Sequence, residues 1–147
     1  MLKVKELLKF KGKKIWSIHP QATIMNALQL MSNKDVGALP VIDEMGLVGI
    51  ISERDFLHMT AKAKHLDLDS TISQYMTKKV ITTTPDTSLE DCMQIMTENY
   101  IRHLPVMEDN QLIGLISIGD VVRACVDSRD QKINQLEDYI EGRGYNR

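Results

Sequence analysis

A stretch of the chain occurs twice without a gap. KKIWSIHPQATIMNALQLMSNKDVGALPVIDEMGLVGIISERD, starting at Lys13, lies over KKVITTTPDTSLEDCMQIMTENYIRHLPVMEDNQLIGLISIGD, starting at Lys78, an offset of 65 residues. Aligning Lys13–Thr60 with Lys78–Cys125 gives 48 pairs, 13 of them identical, including Pro20/Pro85, Leu39-Pro40-Val41/Leu104-Pro105-Val106, Gly49/Gly114, Ser52/Ser117 and Asp55/Asp120. Most other apolar positions exchange for apolar ones, so the repeated property is a folding pattern. The unit is longer than a tetratricopeptide or ankyrin repeat, and half of a 147-residue chain is marginal as an independent core. Two similar halves packed together are expected, divided as residues 1–70 and 71–147.

Within each half the hydrophobic period changes in a fixed order. Ile15-Trp16-Ser17-Ile18 is short and β-prone, and Pro20 ends it. Thr23, followed three positions on by Asn26, has the form of an N-cap before a helix carrying Ala27, Leu28, Leu30 and Met31; Ser88 and Asp91 repeat it. Two apolar runs follow, Leu39–Ile42 and Leu47–Ile51, separated by Asp43-Glu44-Met45-Gly46 as a hairpin turn; Glu108-Asp109-Asn110-Gln111 is the counterpart. Ser52 and Ser117 then open short helical patterns. Each half reads β-α-β-β-α, which makes the fold class α+β (α/β), with two pseudo-symmetric repeats packed through their sheets. Residues 61–69 read as a polar linker and Ile72–Met76 as a helical turn. A separate helix is expected over Gln131–Ile140, ended by Gly142 and Gly144.

Composition excludes several functions. With 18 basic against 20 acidic residues the net charge is −2, which offers no basic face for nonspecific nucleic-acid binding. No apolar run reaches the roughly 18 residues of a membrane span. Cys92 and Cys125 have no metal-ligand spacing, and neither do His19, His58 and His65. The start, MLKVKELLKF, lacks the apolar core and cleavage site of a secretory leader, so a reducing cytoplasm with two free thiols is the expected setting.

These residues together resemble a tandem pair of cystathionine-β-synthase (CBS) domains, the Bateman module, over Lys13–Val126. The likeness rests on the paired prolines, on the two Leu-Pro-Val runs, and above all on Gly49-Ile50-Ile51-Ser52-Glu53-Arg54-Asp55 in register with Gly114-Leu115-Ile116-Ser117-Ile118-Gly119-Asp120. The resemblance implies non-catalytic regulatory binding of an adenosine-containing ligand such as AMP, ADP, ATP, NAD(H) or S-adenosylmethionine; the basic residues Arg54, Arg102 and His103 put AMP first and S-adenosylmethionine lower. It implies that serine and aspartate of the G-x-x-S-x-x-D pattern face phosphate and ribose, and that each cleft is shared between halves. Carried over, one cleft joins Ser52, Arg54 and Asp55 to Lys78, Val80, Ile101, Arg102 and His103. The other joins Ser117 and Asp120 to Lys13, Ile15, Val36, Gly37 and Ala38.

Elementary chemistry is consistent with those roles. A serine at a strand-to-helix junction caps the helix beside free backbone N–H groups that favour phosphate, and an ionised aspartate accepts from the paired hydroxyls of a ribose. Ser-x-x-Asp is equally an ordinary N-cap arrangement, so helix initiation alone is the plain alternative. The halves differ in charge: Gly119 stands opposite Arg54, and Gly37-Ala38 opposite Arg102-His103, so the basic groups converge on the Ser52/Asp55 cleft. His103 is expected to add charge as pH falls toward about 6.5. Outside the repeats only short segments remain, so the expected sensor acts through an unidentified downstream protein or through homodimerisation. Phe56, Leu57, Met59, Val121, Val122 and Val126 are candidates for a dimer face; Leu2, Val4, Leu7 and Leu8, with Ile133, Leu136 and Ile140, either cover apolar faces of the pair or join two chains. A structural homodimer with empty clefts is the competing class, and an enzyme the remotest.

Overall fold

The computed structural model describes residues 1–12 and 14–140, with backbone alone for 138–140. Its elements run α1 (Val4–Lys11), α2 (Ile24–Lys34), β1 (Ala38–Asp43), β2 (Gly46–Ser52), α3 (Glu53–Ala63), α4 (Ile72–Tyr75), α5 (Leu89–Glu98), β3 (His103–Glu108), β4 (Gln111–Ser117) and α6 (Ile118–Ile140). The caps fall where the polar residues stand: Thr23 Oγ1 accepts from the Asn26 amide at 3.1 Å, and Ser88 Oγ accepts from Asp91 at 3.1 Å.

Each half is built on one antiparallel hairpin, β1–β2 or β3–β4, in matching register: Ala38 pairs with Ser52, and His103 with Ser117. The two turns solve the reversal differently. Asp109 and Asn110 both take positive φ, the primed two-residue turn that suits strand twist, whereas Glu44-Met45 hands the left-handed position to Gly46 at φ 108°. The sheets meet along β2 and β4.

The β-prone run before each Pro is a single parallel bridge, Ile18 to Val41 and Thr83 to Val106, rather than a strand. Ile18 donates to Pro40 O at 3.1 Å and accepts from Ile42 at 2.9 Å; Thr83 repeats this with Pro105 and Met107. In a parallel ladder the next donor is two residues on. That residue is Pro20 or Pro85, which has no N–H, so pairing stops after one residue.

Two further expectations are corrected. α3 runs on to Ala63, shortening the linker, and Leu66 and Leu68 beyond it pack on the first core. The helix opened after Ser117 and the tail helix are one 23-residue element, α6, because no proline or glycine interrupts the chain between Gly119 and Gly142. Gly142 and Gly144 lie outside the described residues.

The two cores are interleaved along the chain. Ile24, Leu39, Ile51, Phe56 and Ile72 belong to one; Val4, Leu7, Leu89, Leu104, Ile116 and Val121 belong to the other. The segment before each repeat therefore seals the core of the opposite repeat: α1 lies on the second half and α4 on the first. Backbone bonds fix both, from Val4 to Thr87 O and Leu89 to Leu2 O, and from Ile72 to Ala22 O and Ser73 to Pro20 O. The seals explain the shared glycines. A Cβ on Gly49 would stand 2.5 Å from Met76 Sδ, and one on Gly114 would stand 2.7 Å from Leu8 Cδ2. At about 1.5–3 kcal/mol per large buried side chain, these contacts make each half depend on the other's leading segment.

Of the candidate dimer residues, Phe56 and Val121 are buried in their own cores and Met59 is half-buried, while Leu57, Val122 and Val126 are exposed at 68%, 47% and 50%. Ile133 and Leu136 are exposed too. No described helix is long and apolar enough to cross a membrane.

Candidate functional site

The C-terminal ends of β2 and β4 deliver Ser52 and Ser117 to helix starts, and an open cavity of about 640 Å³ lies beside them. Seven of the eight residues expected in the first cleft line it: Ser52, Arg54, Asp55, Val80, Ile101, Arg102 and His103. Lys78 does not; Lys79 takes its place. Thr77, Ile81, Asn99 and Tyr100 line it as well and were not legible from the motif. Tyr100 reaches the rim because its backbone is left-handed, φ 55°, at the position where Asp35 has φ 53° in the first half. That shared αL residue turns the chain from helix into strand in both repeats.

Asp55 is held but not saturated. Its Oδ2 accepts from the Ser52 amide at 2.8 Å and from Ser52 Oγ at 3.2 Å, whereas Oδ1 meets only Thr77 Oγ1 at 3.3 Å. The Ser52 hydroxyl thus donates to the carboxylate, and Ser52 and Asp55 together form the capping box that opens α3. A carboxylate oxygen with one long, neutral partner is well suited to a ligand hydroxyl. Arg54 donates to the carbonyl of Tyr100. Among the described residues neither Arg102 nor Lys79 takes part in an ion pair, so both remain available to an anion. Val80, Ile81 and Ile101 supply the apolar wall that a flat ring requires.

His103 sits between the halves. A Cβ on Gly37 would stand 2.9 Å from Glu53 Oε1 and 3.4 Å from the His103 ring, so the missing side chain leaves room for both. Burial lowers the His103 pKa from 6.5, the nearby Lys11 charge lowers it further, Glu53 and Asp120 oppose the change, and Arg102 adds to it. The expectation that this ring adds charge near pH 6.5 is accordingly revised: burial at this site favours neutral imidazole.

The described members of the second set are divided. Gly37 and Ser117 line the first cavity; Asp120 faces a different groove between α1 and α6. Ala38 is buried, Val36 packs on the first core, Ile15 is half-buried, and Lys13 lies outside the described residues. Asp120 is fully engaged. Its Oδ2 accepts from the Ser117 amide at 2.9 Å and from Lys11 Nζ at 2.6 Å, and its Oδ1 accepts from Arg123 at 2.8 Å. Burial alone would raise its pKa, but the Lys11 ammonium and the Ser117 groups outweigh that and hold it below the usual carboxylate value.

Two β-α-β-β-α-like repeats are paired by their sheets, and each carries a Ser-x-x-Asp helix start at a strand end, which defines a tandem module. The chain belongs to the CBS-domain family, whose model matches residues 4–62 and 72–127. It is 38% identical over 152 residues to the mitochondrial CBS domain-containing protein CBSX3 of Arabidopsis thaliana, covering 97% of this chain and 73% of that protein. The CBS-domain structure of NE2398 superposes with a TM-score of 0.80 at 38% identity, over 85% of this chain and 98% of that one. The CBS pair of MJ0100, solved with 5′-methylthioadenosine and S-adenosyl-L-methionine, gives 0.76 at 27% identity, covering 87% and 98%. CBSX2 in complex with AMP gives 0.73 at 28% identity, covering 88% and 99%.

Proposed function

We propose that this chain is a non-catalytic regulatory module that binds an adenine nucleotide in the Ser52/Asp55 cleft and passes the signal to a partner protein. One observation carries the reading: Asp55, whose Oδ1 has a single neutral partner at 3.3 Å, and Arg102 and Lys79, in no ion pair among the described residues, share one cavity with an apolar wall. In that arrangement the ribose hydroxyls meet Asp55, the purine lies against Val80, Ile81 and Ile101, and phosphate meets Arg102, Lys79 and Arg54. AMP in CBSX2 and adenosine-type ligands in MJ0100 support the class of ligand. AMP ranks first, with ATP, ADP and NAD(H) behind it. S-adenosylmethionine ranks below them because its sulfonium would approach a basic cluster. The non-catalytic part of the proposal is supported by membership of the CBS-domain family and by the likeness to CBS-domain structures. Homodimerisation through Leu57, Val122 and Val126 belongs to the same proposal, as does a reducing compartment for the free thiols Cys92 and Cys125.

Calorimetric titration with AMP, ATP, NADH and S-adenosylmethionine tests it, on the unmodified protein and on Asp55→Ala and Arg102→Ala. Losing a hydrogen bond to a charged group costs about 1.5–3 kcal/mol, so each variant should bind AMP on the order of 10- to 150-fold more weakly. No binding of any of the four, or AMP affinity unchanged in both variants, would instead favour a dimeric scaffold with unused clefts.

A further inference from the structure

The two halves treat equivalent acceptors differently. In the first, the carbonyl of Ile50 accepts from the Thr77 amide at 2.8 Å, and Asp55 Oδ1 accepts from the Thr77 hydroxyl at 3.3 Å. At the positions 65 residues on, the carbonyl of Leu115 and the carboxylate of Asp120 both accept from one group, the ammonium of Lys11. A backbone strand edge with a weak hydroxyl has been replaced by a cation. A ligand hydroxyl exchanges readily for a neutral hydroxyl at 3.3 Å; it does not readily displace a charge-assisted contact at 2.6 Å to a carboxylate that is only 13% exposed. Arg123 occupies the remaining oxygen.

We propose that Lys11 is the residue that makes the two clefts unequal. It is an intramolecular occupant of the Asp120 position, so that the chain takes one nucleoside or nucleotide at Asp55 and admits a second only when Lys11 leaves. This rests on the nucleotide reading above and adds its stoichiometry and selectivity. Lys11 is suited to such control because it lies in the last turn of α1, whose anchors are elsewhere: Val4 and Leu7 in the core, and backbone bonds at the helix start. Its departure therefore does not require α1 to undock. By the repeat register the residue matching Lys11 is Met76, an apolar side chain with no charge to offer Asp55. The charge of Lys11 also bears on His103, whose ring lines the first cavity.

Lys11→Met installs the first half's residue at this position. Adenosine is the appropriate probe, because the second set has Gly37-Ala38 and Gly119 where the first has Arg102-His103 and Arg54. Titration of the unmodified protein should give one adenosine per chain, abolished by Asp55→Ala. Lys11→Met should give two, the added site at least about tenfold tighter than any second event in the parent, and Lys11→Met/Asp120→Ala should return to one. Lys11→Ala repeats the test without a new side chain in the groove. The ring-proton titration of His103, followed by NMR, should move to higher pH in Lys11→Met, a shift that a purely packing role for Lys11 would not produce. Two sites in the parent, or one Asp55-dependent site in every variant, would overturn the role of Lys11 and leave the nucleotide reading standing. No adenosine or AMP binding by any variant would instead overturn that reading, and this one with it.

Discussion

If the leading segment of each repeat seals the opposite core, Ile72→Ala should damage the first repeat although it lies in the run leading to the second. Ile72 is the buried residue of the four-residue helix α4, which is far too short to be stable without that contact. The segment cannot swing inward to refill the gap. It is fixed by Ile72 to Ala22 O and Ser73 to Pro20 O at 2.9 Å each, and by the Thr77–Ile50 pair just beyond. Truncating a buried isoleucine costs about 2–5 kcal/mol, and the fixed backbone argues for the upper half of that range. At about 2–4 °C per kcal/mol for a chain of this size, melting should fall by roughly 10 °C. Leu7→Ala is the mirror test, with a lower ceiling, because a terminal helix can undock and its cost is capped at the free energy of docking. Urea unfolding measures the losses, and amide exchange locates them. Faster exchange should appear in α2, β1 and β2 for Ile72→Ala, and in α5, β3 and β4 for Leu7→Ala. A loss below about 1 kcal/mol for Ile72→Ala, or the opposite distribution of exchange, would refute the interleaved packing.

Other consequences follow from the site. The folded pKa of His103 lies below its free value of 6.5, so the unfolded chain binds a proton that the folded chain resists. Stability should therefore decline as pH falls through 6.5, with Lys11, Arg102, Glu53 and Asp120 setting how far; His103→Gln should flatten that slope in urea titrations at pH 7.5 and 5.5. Salt should weaken AMP more than adenosine, because only AMP depends on charge pairing, and Arg102→Ala should narrow the difference in a competition titration at two ionic strengths. Sedimentation at micromolar concentration should give a dimer mass, and Val126→Glu, which places a charge on the exposed apolar face of α6, should give a monomer; a monomeric parent would count against the dimer.

What was legible in the chain was what short-range chemistry determines. Thr23 and Ser88 announce their helices because an N-cap is a contact over three residues, and the hairpins follow from alternating apolar runs around polar turns. The cleft residues Asp55, Arg102 and His103 were named because the resemblance to CBS-domain pairs implies cleft residues at those positions; the repeat itself has Gly37-Ala38 opposite Arg102-His103. The interleaving was not, since nothing near Val4 or Leu7 says which of two similar cores they enter. Lys11 escaped notice for a related reason: it precedes the aligned repeat, and its partners Leu115 and Asp120 are more than a hundred residues away. Lys78 and Lys79 are neighbours in a bend, and the repeat does not say which of two adjacent lysines turns toward the cavity. The continuity of α6 was hidden by a boundary drawn at the end of the repeat, where the backbone meets no breaker.

The most direct test of the central claim is an AMP titration of isotopically labelled protein followed through its backbone amide resonances. Binding in the Ser52/Asp55 cleft predicts saturable shifts concentrated in residues 50–55, 77–81 and 99–103, with those around Asp120 smaller and the whole pattern lost in Asp55→Ala. Shifts centred on the α1–α6 groove, or none at millimolar AMP, would contradict it.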